Sequence, residues 1–158
     1  MNFLKSVCYL AVTGILSFFL GRLLAGHSFR FDAFPFKSFG FEREGQFYKK
    51  LNISAWQSRV PDMSRLCKKL MPPKKLEGRP DGDTLRLMIN ETCVAELIHS
   101  LLCLSGLGVL WFCPGFGGAV IWLVYCLLGN LPFILIQRYN RPRLVKLLRR
   151  CGGKETMI

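Results

Sequence analysis

The 158-residue chain is 51% apolar, yet it carries a formal net charge of +12 from 22 Lys and Arg against 10 Asp and Glu. A nucleic-acid-binding domain would show the charge without long apolar runs, and a secreted disulfide scaffold would be shorter, more polar and denser in cysteine. The combination predicts a small all-α integral membrane protein with basic flanks.

Three stretches are predicted to span, each close to the roughly 20 apolar residues a helix needs to cross a bilayer. They run from Ser6 to Ala25, from Ala95 to Phe112 and from Phe116 to Ile136. The first has Lys5 before it and Arg22 near its end, where a long stem can reach the headgroups. A basic residue, a short apolar run and the small-residue exit Leu24-Ala25-Gly26 also describe a signal peptide. The basic linker and two further spans that follow favour a retained anchor. Cys113-Pro114-Gly115 separates the second and third spans as an uncharged tight turn, so these two form a helical hairpin. The expected organisation is an N-terminal anchor (1–26), a basic interfacial segment (27–90), the hairpin (91–140) and a basic tail (141–158). Lys and Arg crowd the linker and the tail and are missing from the hairpin turn, so the positive-inside rule places linker and C-terminus in the cytoplasm. A bacterial cell membrane is the expected location.

Within the linker, Phe29, Phe31, Phe34, Phe36, Phe39, Phe41 and Phe47 crowd a short stretch rich in Arg and Lys, a mixture suited to the membrane–water interface. A helix is predicted from Glu42 to Val60, stopped by Pro61-Asp62, and a short basic one from Ser64 to Leu70. Asp83 or Thr84 is expected to cap the helix leading into the second span. Lys68-Lys69 and Lys74-Lys75 are taken as solvated or lipid-facing. The seven cysteines lack metal-knuckle spacing, and most are expected as small buried hydrophobes; no metal site and no cofactor are indicated.

Polar groups in apolar surroundings are costly and point to function. Glu96 and His99 lie three apart and share a helix face. A carboxylate beside the imidazole can orient it as a general base. Asn130, Gln137 and Arg141 recur at helical spacing on the third span, and Pro132 is expected to break or kink that helix near Asn130. A tight hairpin brings these residues to the depth of Glu96 and His99, so His99, Glu96, Asn130 and Gln137 are expected to line one polar pocket. Beyond the span, Gln137-Arg138-Tyr139-Asn140-Arg141-Pro142-Arg143 sets three arginines among amides, a composition able to grip phosphate.

Three blocks carry a resemblance. Phe41-Glu42-Arg43-Glu44-Gly45 continues through Phe47-Tyr48-Lys49-Lys50-Leu51 to Ile53, Trp56 and Pro61-Asp62. Glu91-Thr92-Cys93 leads to Ala95-Glu96-Leu97-Ile98-His99, and Gly129-Asn130-Leu131-Pro132 leads to Gln137 through Arg143. In this order they resemble the glycosyl-4,4'-diaponeurosporenoate acyltransferases, small membrane enzymes named for the last step of staphyloxanthin synthesis. The chain departs from their pattern at Gln57 and Ser100. The resemblance implies O-acyl transfer to a hydroxyl of a membrane glycolipid, from acyl-CoA or acyl carrier protein. His99 would then be the base with Glu96 its orienter, and Asn130 or Gln137 would donate to the oxyanion. Arg138, Asn140, Arg141 and Arg143 would hold the donor, and Trp56 and Glu91, from the matching blocks, join the substrate contacts. No Ser or Cys has a nucleophile's setting, so direct transfer is expected. His27 and Asp32 spell the His-x4-Asp of glycerolipid acyltransferases, but the phosphate-binding block those enzymes need is missing. A non-enzymatic membrane scaffold and a lipid methyltransferase are the competing readings; no nucleic-acid partner is expected, and a homo-oligomer stays open.

Overall fold

Apolar runs of spanning length fold as long helices because a helix satisfies its backbone groups internally. A computed structural model describes residues 2–60 and 81–151. Helix α1 covers Asn2–Leu24. Two short helices follow, α2 at Gln46–Lys50 and α3 at Ile53–Trp56. Helix α4, Gly82–Ser105, continues through a 3-10 turn at Gly106–Gly108 into α5, Val109–Phe112. Beyond the hairpin turn come α6, Phe116–Val124, a π-helical turn at Tyr125–Asn130, and α7, Leu131–Arg150. The described residues contain no strand. Three continuous helical stretches, Asn2–Leu24, Gly82–Phe112 and Phe116–Arg150, are long and apolar enough to cross a membrane.

Chain contacts divide the protein into two units. One comprises Met1–Phe29 and Cys93–Gln137, the other Arg30–Thr92 and Arg138–Ile158. In the first unit the Tyr9 hydroxyl donates to the Ser105 carbonyl at 2.7 Å, and the Tyr9 ring meets Phe112 at 5.5 Å. Gly108 lies against that same Tyr9 ring. Val94, Ile98 and Leu102 form an apolar core with Leu24, Phe29 and Tyr125. The hairpin arms approach closely at Gly106, where a Cβ would come within 3.0 Å of Tyr125. The Trp122 indole N–H donates to the Cys103 carbonyl at 2.9 Å. Small residues at such crossings let apolar helices associate without a water-driven force.

The hairpin turn depends on glycine twice. Gly115 has φ +85, a backbone that favours glycine. At Gly118 an added methyl would fall on the Cys113 carbonyl, whereas at Gly117 it would meet only the Cys113 thiol at 3.6 Å. Gly118→Ala is therefore expected to lower stability by about 1–3 kcal/mol, and Gly117→Ala to leave it nearly unchanged. Thermal denaturation of both variants in the same detergent checks the contrast.

In the second unit Leu85, Ile89 and Leu144 form a core with Phe31, Met88, Val145, Leu147 and Leu148. The expected single helix from Glu42 to Val60 is not formed. It is broken into a 3-10 turn at Gly40–Gly45, α2, α3 and a 3-10 turn at Gln57–Arg59. The breaks fall at left-handed residues, Arg43 (φ 46), Gly45 (φ 90) and Asn52 (φ 49), which an α-helix cannot contain. The cap of α4 is also displaced from Asp83 or Thr84 to Asp81, whose carboxylate accepts from the Thr84 N–H at 2.7 Å. The Thr84 side chain, together with that N–H, holds the Asp81 carboxyl below its ordinary range. The predicted Ser64–Leu70 helix, Cys67 and the two lysine pairs lie outside the described residues.

Candidate functional site

The pair that the hairpin was expected to bring to one depth is in contact. His99 Nδ1 lies 3.0 Å from Asn130 Oδ1. The π-helical turn makes this geometry. It carries i to i+5 bonding, seen in the Leu131 N–H to Cys126 carbonyl bond, and it swings Asn130 inward until only 2% of the residue is exposed. Pro132 follows at the second position of α7 and does not break the helix, which runs on to Arg150.

The orientation of the Asn130 amide follows from its other contact. Its Nδ2 donates to the Tyr125 carbonyl at 3.1 Å. A backbone carbonyl only accepts, so the NH2 end faces Tyr125 and the oxygen faces His99. That oxygen in turn only accepts, so His99 Nδ1 carries the proton. The neutral ring then presents Nε2 as its basic nitrogen. Phe133 stacks on the imidazole with centroids 4.4 Å apart and planes 5° from parallel, which limits its rotation. Glu96 is buried one turn before His99 on α4, and Gln137 is half-buried on α7. The sequence pointed to His99 and Asn130 but not to Phe133, whose signal, an aromatic three residues after Asn130, is indistinct among apolar neighbours.

The second unit holds most of the other candidates. Arg138 donates to Glu42 Oε1 and to the Pro35 carbonyl, each at 3.0 Å, and lies over the Phe39 ring at 4.6 Å. Tyr48 donates to the same Glu42 oxygen, and the Phe39 N–H donates to the other at 3.0 Å. Arg141 donates to Thr92 Oγ1 at 2.9 Å, to the Thr92 carbonyl at 3.0 Å and to the Phe36 carbonyl at 2.7 Å. Both guanidinium groups are thus engaged by the fold, in a lattice that joins the start of α4, the Phe-rich stretch and α7. Arg143 is exposed and stacks on Tyr139 at 4.7 Å. Asn140 donates to Gln57 at 3.4 Å, and Trp56 donates to the Leu51 carbonyl at 3.1 Å. Glu91 is half-buried on α4. His27 is exposed at the end of α1 with Nδ1 3.3 Å from the Leu23 carbonyl, and Asp32 pairs with Arg30 at 3.3 Å. Among the described residues no cluster of His, Cys, Asp and Glu could hold a metal.

Among the described residues the chain is all-helical, with three helices long and apolar enough to cross a membrane and a part-buried His99–Asn130 contact between two of them. The comparisons then specify the family. The family model for glycosyl-4,4'-diaponeurosporenoate acyltransferase matches residues 32–150. Proteins of that name from Staphylococcus aureus strains bovine RF122 / ET3-1, N315 and MRSA252 are each 36% identical over 132 residues, covering 82% of this chain and 78% of theirs. No solved structure matches. The chain belongs to the glycosyl-4,4'-diaponeurosporenoate acyltransferase family and is an acyltransferase.

Proposed function

We propose that this protein is an integral membrane O-acyltransferase that esterifies a sugar hydroxyl of a carotenoid glycoside or a closely related glycolipid. The name shared by its relatives supports the acceptor class. The observation that supports His99 as the base is the His99–Asn130–Tyr125 chain of hydrogen bonds, which sets the proton on Nδ1. The acyl donor is a thioester, acyl-CoA or acyl carrier protein. The acceptor oxygen attacks the thioester carbonyl while His99 Nε2 takes its proton. The C–S bond breaks, and the sulfur leaves with the proton returned by the imidazolium, so an ester and a thiol are the products. Asn130 is the positioning residue for the ring. Glu96, on the same helix face, supplies negative charge that favours the transient imidazolium. Gln137 is the remaining amide for the oxyanion.

Arg138 and Arg141 act as structural clasps in this reading, and Arg143 is the arginine assigned to the donor's phosphates. Trp56, Asn140 and Glu91 are assigned to substrate contact from the family blocks. The three apolar helices cross the cell membrane, with the basic linker and tail in the cytoplasm, where activated acyl donors are made.

Lipid extracts from three strains test the proposal by mass spectrometry: one without the gene, one with the wild type, and one with His99→Ala. A glycolipid that gains one acyl mass only with the wild type supports it. Identical profiles, with both proteins shown to reach the membrane, would overturn it.

A further inference from the structure

The stretch from Asp32 to Leu51 is built inside out. One of its acids and two arginines that bond to the stretch are interior: Glu42 is 1% exposed, the Arg138 side chain 9% and Arg141 3%. Its rings are exterior: Phe34 is 84% exposed and Phe41 63%, with Phe39, Phe47 and Leu51 also exposed. A segment that faces water arranges these groups the other way, because burying charge costs and burying rings stabilises. The outer rings also form a contiguous surface. Phe39 stacks on Phe41 at 5.8 Å, and Phe41 meets Phe47 edge-on at 5.8 Å. Arg138 lies over the Phe39 ring, and Tyr48, bonded to Glu42, meets the Phe47 ring edge-on at 5.5 Å. The patch therefore rests on a hydrogen-bonded polar base.

Charge selects its occupant. Lys37, Arg43, Lys49 and Lys50 are exposed in the same stretch. The carboxylate of Glu42 is spent on Arg138, Tyr48 and the Phe39 N–H, so it does not offset them. Exposed rings set among exposed cations match the headgroup layer of a bilayer, where aromatics insert at the acyl boundary and cations meet lipid phosphates. The chain supplies a tether as well. Nine residues separate Leu24, the end of apolar α1, from Phe34, and the ten chain steps reach at most about 35 Å.

We propose that the Phe34–Phe39–Phe41–Phe47 face is a lipid-docking surface that inserts its rings into the headgroup layer and selects anionic phospholipid through Lys37, Arg43, Lys49 and Lys50. The proposal concerns the second unit alone and stands apart from the chemistry assigned to His99. The photoreactive residue p-benzoylphenylalanine is placed at Phe34 or Phe41 of the full chain, and at Asp83 as a comparison. Each protein is reconstituted in vesicles of phosphatidylglycerol and phosphatidylcholine and irradiated. At positions 34 and 41 the chain is expected to gain the mass of one phospholipid, with phosphatidylglycerol over-represented against its share of the vesicle. The combined changes Lys37→Gln, Arg43→Gln, Lys49→Gln and Lys50→Gln should remove that preference while the adduct persists. Adducts to a protein chain instead of lipid, whether a second copy or another partner, overturn the proposal. So does a lipid yield at 34 and 41 no higher than at 83.

Discussion

His99→Ala is expected to lower acyl transfer by about 10²–10⁴-fold, the range that a general base contributes, while the chain still inserts and accumulates. The companion variant separates base from binder. Asn130 touches His99 and the Tyr125 carbonyl, so in the proposed mechanism it acts through the ring. Asn130→Ala removes the acceptor that fixes Nδ1–H and lets the proton occupy Nε2, where it blocks the base. The expected result is a fall of about 10–100-fold, the range seen for residues that orient a functional histidine, carried by kcat with KM near its wild-type value. Single-turnover kinetics with a glycoside acceptor and an acyl thioester measure both constants. A rise in KM at constant kcat would instead assign Asn130 to substrate binding. Unchanged kinetics in His99→Ala would remove His99 from the mechanism.

How this pair could be found in the sequence, and other parts could not, follows from chain geometry. Pro114 and Gly115 lie midway between His99 and Asn130, so a tight hairpin sets the two at one depth whatever the details of its arms. The spans are legible for a similar reason, since length and apolarity alone decide them. The tautomer was not legible, because it depends on a π-helical turn that no residue pattern from Tyr125 to Asn130 announces. The interfacial segment misled in the opposite sense. Phe47, Leu51, Trp56 and Val60 fit one helical face, yet left-handed Asn52 divides it and left-handed Gly45 cuts the helix just before it. Gly45 was a readable warning; Asn52 is ordinary in a helix by composition. The arginines of the tail read as a phosphate grip because their partners are remote: Glu42 and Arg138 are 96 residues apart, and Arg141 and Thr92 are 49 apart.

Glu42 carries the largest expected effect on stability. Glu42 accepts from Arg138, Tyr48 and the Phe39 N–H, and its side chain and that of Arg138 are 2% and 9% exposed. Removing one partner of a buried, hydrogen-bonded ion pair leaves the other charge without compensation and costs about 3–5 kcal/mol. Glu42→Ala is therefore expected to cut accumulation and thermal stability sharply, and Arg138→Ala to do nearly the same. Replacing both, Glu42→Leu with Arg138→Met, removes the uncompensated charge and should recover a substantial part of the loss. Recovery stays incomplete, because Tyr48 and the Phe39 N–H still lose their acceptor, at about 1–3 kcal/mol for a buried group left unpaired. Thermal unfolding of the wild type, Glu42→Leu, Arg138→Met and their combination gives the coupling directly as the departure from additivity, expected at about 0.5–3 kcal/mol. Additive losses would show that Arg138 and Glu42 act independently of one another. Acyl transfer per folded molecule separates the roles further. As a clasp, Arg138 changes how much enzyme survives and leaves the turnover of the survivors close to wild type; as a grip on the donor, it would raise KM for the thioester even in the stabilised double variant.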